Sequence, residues 1–112
     1  MEEKIPYDVF EKLDLRIGRI INVEDHPKAA KLYILTVDLG EPALRTIVAG
    51  LKKHYKKEDL INKEAVFVAN LAPVTLRGVE SNGMVLAAVG AGDAELFILK
   101  PEKDITPGSK IR

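Results

Sequence analysis

Between Leu15 and Glu24 the apolar alternation changes phase in the middle of a single extended run. Leu15 and Ile17 alternate, then Ile20 and Ile21 break the period before Val23, with Gly18 close to the break. This is the pattern of a strand with a bulge or bend, which is how a sheet turns the corner of a barrel. Such a strand is suited to a barrel corner.

The rest of the chain supplies short strands to close it. Lys31–Asp38 is a second strand, rich in β-branched and aromatic residues, and Leu44–Val48 a third. Gly50–Leu60 is compatible with a helix that turns Leu51 and Tyr55 inward and its lysines outward. The fourth strand reads Ala65-Val-Phe-Val-Ala69, and a fifth follows at Met84–Val89. The turns between them are His26–Ala30, Gly40–Pro42 and Gly90–Asp93. Pro6 opens a short helix over Tyr7–Leu13, with Val9, Phe10 and Leu13 on one face. Glu95–Leu99 and Ser109–Arg112 are further extended pieces.

The order β-β-β-α-β-β is that of the OB-fold, a five-stranded Greek-key barrel. The expected class is therefore all-β with short helices, one domain over residues 1–112. Its barrel core runs from about 14 to 89, with an N-terminal helix and a C-terminal extension over about 90–112. An SH3-like barrel or an unrelated α+β domain are the alternatives; the helix between strands three and four favours the OB reading.

OB-folds bind ligands on strands two and three and on the loops after strands one and four. Here those loops are His26–Lys31 and Leu71–Gly83, which should lie on one side of the barrel. The second belongs to a long stretch, Asn70–Met84. A loop that long in so small a domain is usually functional. The stretch carries one cation, Arg77, the small donors Asn70, Ser81 and Asn82, and the apolar Met84. Arg and polar side chains can meet phosphates and base edges, and Met can lie against a base face, so RNA is the expected ligand. Each has a plainer structural role open to it. Arg77 could pin its loop to Glu80, Asn70 could bond its own backbone, Ser81 and Asn82 could form turns, and Met84 could be core.

Charge is where composition matters. The chain carries 17 Lys+Arg and 17 Asp+Glu, a net of zero. Between Ala43 and Val79, however, seven cations (Arg45, Lys52, Lys53, Lys56, Lys57, Lys63, Arg77) face three anions, a local +4. A neutral protein with one positive sector can still steer a polyanion. Arg45, Lys52 and Lys53 of this sector, with Lys28 of the first loop, are auxiliary candidates for RNA contact, although a lysine-rich helix face is often simply solvated.

Catalysis finds little support. The absence of Cys excludes disulfides, thiolate metal sites and Cys nucleophiles. His26 precedes Pro and reads as a turn residue, and His54 sits in a lysine run. Metal-ligand spacing is absent, so no metal and no cofactor are expected. No apolar run approaches the roughly 18 residues of a membrane span, and the start Met1-Glu-Glu-Lys-Ile5 lacks a signal core. A cytoplasmic protein without membrane contact is expected.

Several of these residues carry a family likeness. Phe10-x-Lys12-Leu-Asp-Leu-Arg-Ile-Gly-Arg-Ile20, His26-Pro-x-Ala29-x-Lys31-Leu-Tyr33 and Val37-Asp-Leu-Gly40 resemble the tRNA-binding domain family. So do Ile47-Val-Ala-Gly50-Leu51 and Leu76-Arg-Gly-Val-Glu-Ser-x-Gly-Met84. The family includes the C-terminal domain of many methionyl-tRNA synthetases and the archaeal beta-subunit type. Endothelial-monocyte-activating polypeptide and free-standing tRNA-binding proteins are related. The likeness covers essentially the whole chain and looks most like the beta-subunit type.

The resemblance implies an OB-fold that recognises folded tRNA with little preference among species, is not itself an enzyme, and forms homodimers when free-standing. It implies methionyl-tRNA synthetase as a further partner, and it implicates Lys31, Ser81 and Met84 in binding. The chain departs from the family at Ala30, often Asp, and at Ala49, often Ser; the first change is expected to cost the loop an anchor rather than a phosphate contact. The rival reading is an OB module that docks another protein within a synthetase complex and binds RNA weakly. A carbohydrate-binding OB domain would favour more exposed aromatics than Phe and Tyr at 5% supply.

Overall fold

The computed structural model describes residues 3–92 and 94–112. Met1 and Glu2, of the acidic N-terminus, and Asp93, of the expected 90–93 turn, lie outside the described residues.

The curved strand is the organising element. β1 (Leu15–Asp25) pairs antiparallel with β4 (Glu64–Val68) through its first half, from Leu15↔Val68 to Arg19↔Glu64. Its second half pairs with β2 (Tyr33–Asp38), from Arg19↔Asp38 to Asp25↔Tyr33. The register slips between Ile20 and Asn22, so Ile21 is the extra residue of a bulge. One strand thereby serves two walls. Gly18 is needed for a different reason than bending. A Cβ there would sit 2.7–2.8 Å from Leu39, Phe67 and Val37 side-chain atoms, so the interior leaves no room for one.

β3 (Arg45–Ala49) pairs with β2, and β7 (Met84–Val85) with β4, giving the order β3-β2-β1-β4-β7. Alternation is clean on β2, where Tyr33, Leu35 and Val37 are buried and their neighbours half-buried. These fill the barrel together with Ile20, Leu39, Ile47, Leu60 and Phe67. Single bonds from Ser81 and Asn82 to β3 span the gap between β3 and β7. This is an OB-fold: all-β with short helices, a five-stranded Greek-key barrel carrying an N-terminal helix and a C-terminal extension.

Several local expectations are corrected. The helix over 50–60 shrinks to α2 (Lys57–Leu60). A full helix would stack Lys52 on Lys56 and Lys53 on Lys57, like charges one turn apart, which are destabilising. Instead His54 and Tyr55 N–H both bond to Leu51 O, a tight turn that leaves Leu51 in the core. Likewise the N-terminal helix, α1, is only Tyr7–Phe10.

The long loop after β4 is not irregular. It contains a hairpin of β5 (Val74–Leu76) and β6 (Val79–Ser81). Its two-residue turn, Arg77–Gly78, has φ of +53° and +92°, the signature of a type I′ turn. Arg at a positive φ is uncommon, which hides the turn from a reading of residue types.

The fifth strand over 84–89 splits. β8 (Ala87–Val89) leaves the barrel to pair with β9 (Leu96–Ile98), and Leu99 O takes the Val66 N–H of β4. The chain then returns to β1, where Gly108 N–H donates to Ile17 O, Ile17 N–H to Ser109 O and Ile111 N–H to Leu15 O. The extension thus occupies the edge of β1 that β2 does not reach. Glu64, buried in β4, straps it down by pairing with Arg19 at 2.9 Å and accepting the Ile105 N–H at 3.0 Å.

Candidate nucleic-acid interface

Two loops meet at His26. Its ring is 5% exposed and lies between the loop after β1 and the β5–β6 hairpin. Nδ1 accepts the Lys28 N–H at 3.0 Å, so the ring proton belongs on Nε2, which donates to Leu76 O at 2.9 Å. The two bonds fix one tautomer and join a loop to a hairpin 50 residues away. The His26 N–H to Leu32 O and Leu32 N–H to Ala29 O bonds shape the same loop. The expected convergence of the two loops is therefore present, with a named bond as its cause. From the sequence His26 reads only as a turn residue; a polar ring between a strand end and Pro is the available signal for more.

Around this bond stand cations without a carboxylate. Lys28, Lys31 and Arg77 are exposed, and none forms an ion pair among the described residues. Arg77 makes no such pair with Glu80; the turn alone holds it out. Lys53, on the turn after β3, is also exposed and unpaired among the described residues. Met84, for which a core position is the alternative to base contact, is 44% exposed.

The other candidates are built into the scaffold. Ser81 is 2% exposed; its hydroxyl accepts the Val48 N–H at 2.9 Å and donates to Gly83 O at 3.1 Å. The next residue, Asn82, donates its N–H to Thr46 O at 2.9 Å. Gly83, at φ +129°, passes so close that a Cβ would lie 3.0 Å from Val68 O and 3.2 Å from Ile47 Cδ1. Ser81-Asn82-Gly83 thus seals β3 to the chain entering β7. The Ser81 hydroxyl uses both its accepting and its donating role on this seam.

Asn70 is also occupied. Its side chain accepts the Asp14 N–H at 2.8 Å and donates to Lys12 O at 2.6 Å, latching the end of β4 to the N-terminal segment. Arg45 grips Glu41 through two bonds of 2.8 and 2.7 Å and donates to Ala69 O and Asn82 O. Glu41 holds the Arg45 guanidinium above its ordinary pKa, and Arg45 in turn holds the Glu41 carboxyl below the usual carboxylate range. Asn82 lines a shallow cleft of about 390 Å³ with Leu44, Arg45, Leu71 and Pro73. Lys52 is paired with Asp25 at 3.0 Å.

Lys28, Lys31 and Arg77 are exposed beside the His26–Leu76 joint and can attract phosphates, and the exposed Met84 can lie against a base. Among the described residues, no group of three or more His, Cys, Asp or Glu is placed to hold a metal, and no helix is long and apolar enough to cross a membrane.

Comparison with known proteins agrees with this chemistry. A family model described as "Putative tRNA binding domain" matches residues 15–110. The methionine–tRNA ligase of Pyrococcus horikoshii is 55% identical over 111 residues, covering 98% of this chain and 15% of the ligase. That of Methanococcoides burtonii is 51% identical over 110 residues, covering 98% of this chain and 16% of the ligase. The chain therefore spans about 15% of the length of such relatives. Among solved structures, a MetRS-related protein from P. horikoshii superposes with a TM-score of 0.90 at 31% identity, covering 99% of this chain and 100% of that one. The chaperone CsaA of Bacillus anthracis gives 0.87 at 31% identity, covering 98% and 100%. From residue 15 to residue 110 the sequence matches, and over nearly its whole length the barrel superposes: this chain belongs to the tRNA-binding domain family.

Proposed function

We propose that this domain binds tRNA by shape and backbone charge, with little preference among tRNA species, and tethers it near a methionyl-tRNA synthetase in the cytoplasm. On this reading the domain is an accessory and performs no catalysis. Holding tRNA close raises its effective concentration at a second module without new chemistry. The observation that supports the reading is the His26–Leu76 joint, which links the loop bearing Lys28 and Lys31 to the hairpin bearing Arg77. Lys31, Arg77, Met84 and the Asn82 side chain are the proposed direct contacts, with Lys28, Lys52 and Lys53 as auxiliaries. Asn70, Ser81 and Arg45 act by holding the contacts in place.

The test is a gel-shift titration of total tRNA against an unstructured RNA of equal length, at two salt concentrations. With about 3–4 phosphates neutralised per subunit, log K should fall against log salt with a slope of about −2 to −4. Salt-independent binding, or equal affinity for the unstructured RNA, would favour a protein-docking surface instead.

We further propose that the chain forms a homodimer. Ile5, Tyr7, Val9 and Leu13 at one end, and Val89, Phe97 and Leu99 on the extension, are exposed apolar residues that a second copy can cover.

A further inference from the structure

The segment between β3 and β4 sends two of its lysines back to the end of β1. Lys52 Nζ lies 3.0 Å from Asp25 Oδ1, and Lys57 Nζ lies 2.9 Å from Asp25 Oδ2. Each oxygen of one carboxylate therefore takes one ammonium. Asp25 immediately precedes His26, so this fork stands at the mouth of the loop that carries Lys28 and Lys31. All three side chains remain open to solvent, at 39% for Lys52, 43% for Lys57 and 47% for Asp25. Lys57 and then Lys52 hold the Asp25 carboxyl below its ordinary range, and Asp25 raises Lys57. Exposed ion pairs contribute little to stability, so the barrel does not depend on this one.

We propose that the Lys52–Lys57 fork is a phosphate subsite for an RNA backbone, and that Asp25 is its resident competitor, filling the fork when RNA is absent. The proposal rests on the tRNA-binding reading above. Two ammonium groups converging on the two oxygens of a carboxylate present the same arrangement to two non-bridging oxygens of a phosphodiester. Lysine serves phosphate as a point charge and needs no planar match. Because Asp25 is half exposed, its side chain can swing outward and surrender the fork. Its charge then opposes the incoming phosphate, as does that of its neighbour Glu24. Asp25 therefore sets the threshold of the surface: weak or short polyanions fail to displace it, and a ligand held elsewhere by Lys31 and Arg77 succeeds.

The variant Asp25→Asn keeps the shape and removes the competing charge. It should tighten tRNA binding by about 3–10-fold at low salt and steepen the log–log salt slope by about 0.7–0.9 for each phosphate gained. Adding Lys52→Ala and Lys57→Ala to Asp25→Asn should abolish the gain. Where the unaltered protein binds tRNA, unchanged or weaker binding by Asp25→Asn at the same melting temperature would overturn the proposal, as would a gain that survives loss of both lysines. A second readout separates the subsite from the tRNA reading. Inorganic pyrophosphate, followed by NMR at the lysine side chains, should shift Lys52 and Lys57 at lower concentration in Asp25→Asn than in the unaltered protein. If that occurs while neither protein binds tRNA, the tRNA reading fails and the subsite stands. If tRNA binds and pyrophosphate leaves both lysines unmoved, the subsite fails and the tRNA reading stands.

Discussion

Arg77 and Lys31 separate contact from stability at the scale of single residues. Lys31→Ala removes an exposed cation that forms no ion pair among the described residues, so tRNA affinity should fall by roughly 1.5–3 kcal/mol for a charge-assisted contact. The melting temperature should stay where it is, and a gel shift paired with a thermal melt checks both. Arg77→Gly is sharper. The turn demands a positive φ that costs a non-glycine residue roughly 1–2 kcal/mol, so glycine should hold or raise stability while binding weakens. Equal affinity in both folded variants would place the binding face elsewhere. Ser81→Ala acts in the opposite sense. It leaves the buried Val48 N–H without its partner, which costs roughly 1–3 kcal/mol in urea denaturation. Its effect on binding should follow from the loosened β3–β7 seam.

At the scale of elements, the His26 ring bonds join the loop after β1 to the β5–β6 hairpin. His26→Ala removes both ring bonds, each worth about 1 kcal/mol. Hydrogen exchange should rise across 74–81, and tRNA affinity should drop although the His26 ring is buried; unchanged exchange there would mean that the hairpin is held by its own turn. The hairpin shows why element reading from sequence stops where it does. Val74–Leu76 and Val79–Ser81 are strands of three residues, too short to show a period, and their turn uses Arg where Asn or Asp is the usual signal. The α2 region is hidden for another reason. Its apolar spacing suits a helix over 50–60, but four lysines at helical spacing repel, and Leu51 is buried by a tight turn instead.

For the whole molecule, the exposed apolar residues of the N-terminal segment and the extension make the homodimer a quantitative expectation. Light scattering at micromolar concentration should return twice the 12.4 kDa chain mass, and Tyr7→Glu should lower it. A monomer mass for the unaltered protein would leave these segments as covers of the barrel alone. By itself the sequence determined the closed barrel. Strand order, the phase break in β1 and the alternation of β2 are local patterns, and a barrel is the arrangement that buries their apolar faces together. It also showed that Lys28, Lys31 and Arg77 would lie on the loops after strands one and four. Which candidates stay available for contact was decided only by tertiary structure. Asn70, Ser81 and Arg45 look like ligand-binding residues in sequence, yet each satisfies backbone groups brought to it from at least 24 positions away. A buried backbone donor or acceptor takes the nearest polar partner that the fold supplies, and that choice is made by distant strands meeting, not by neighbours along the chain.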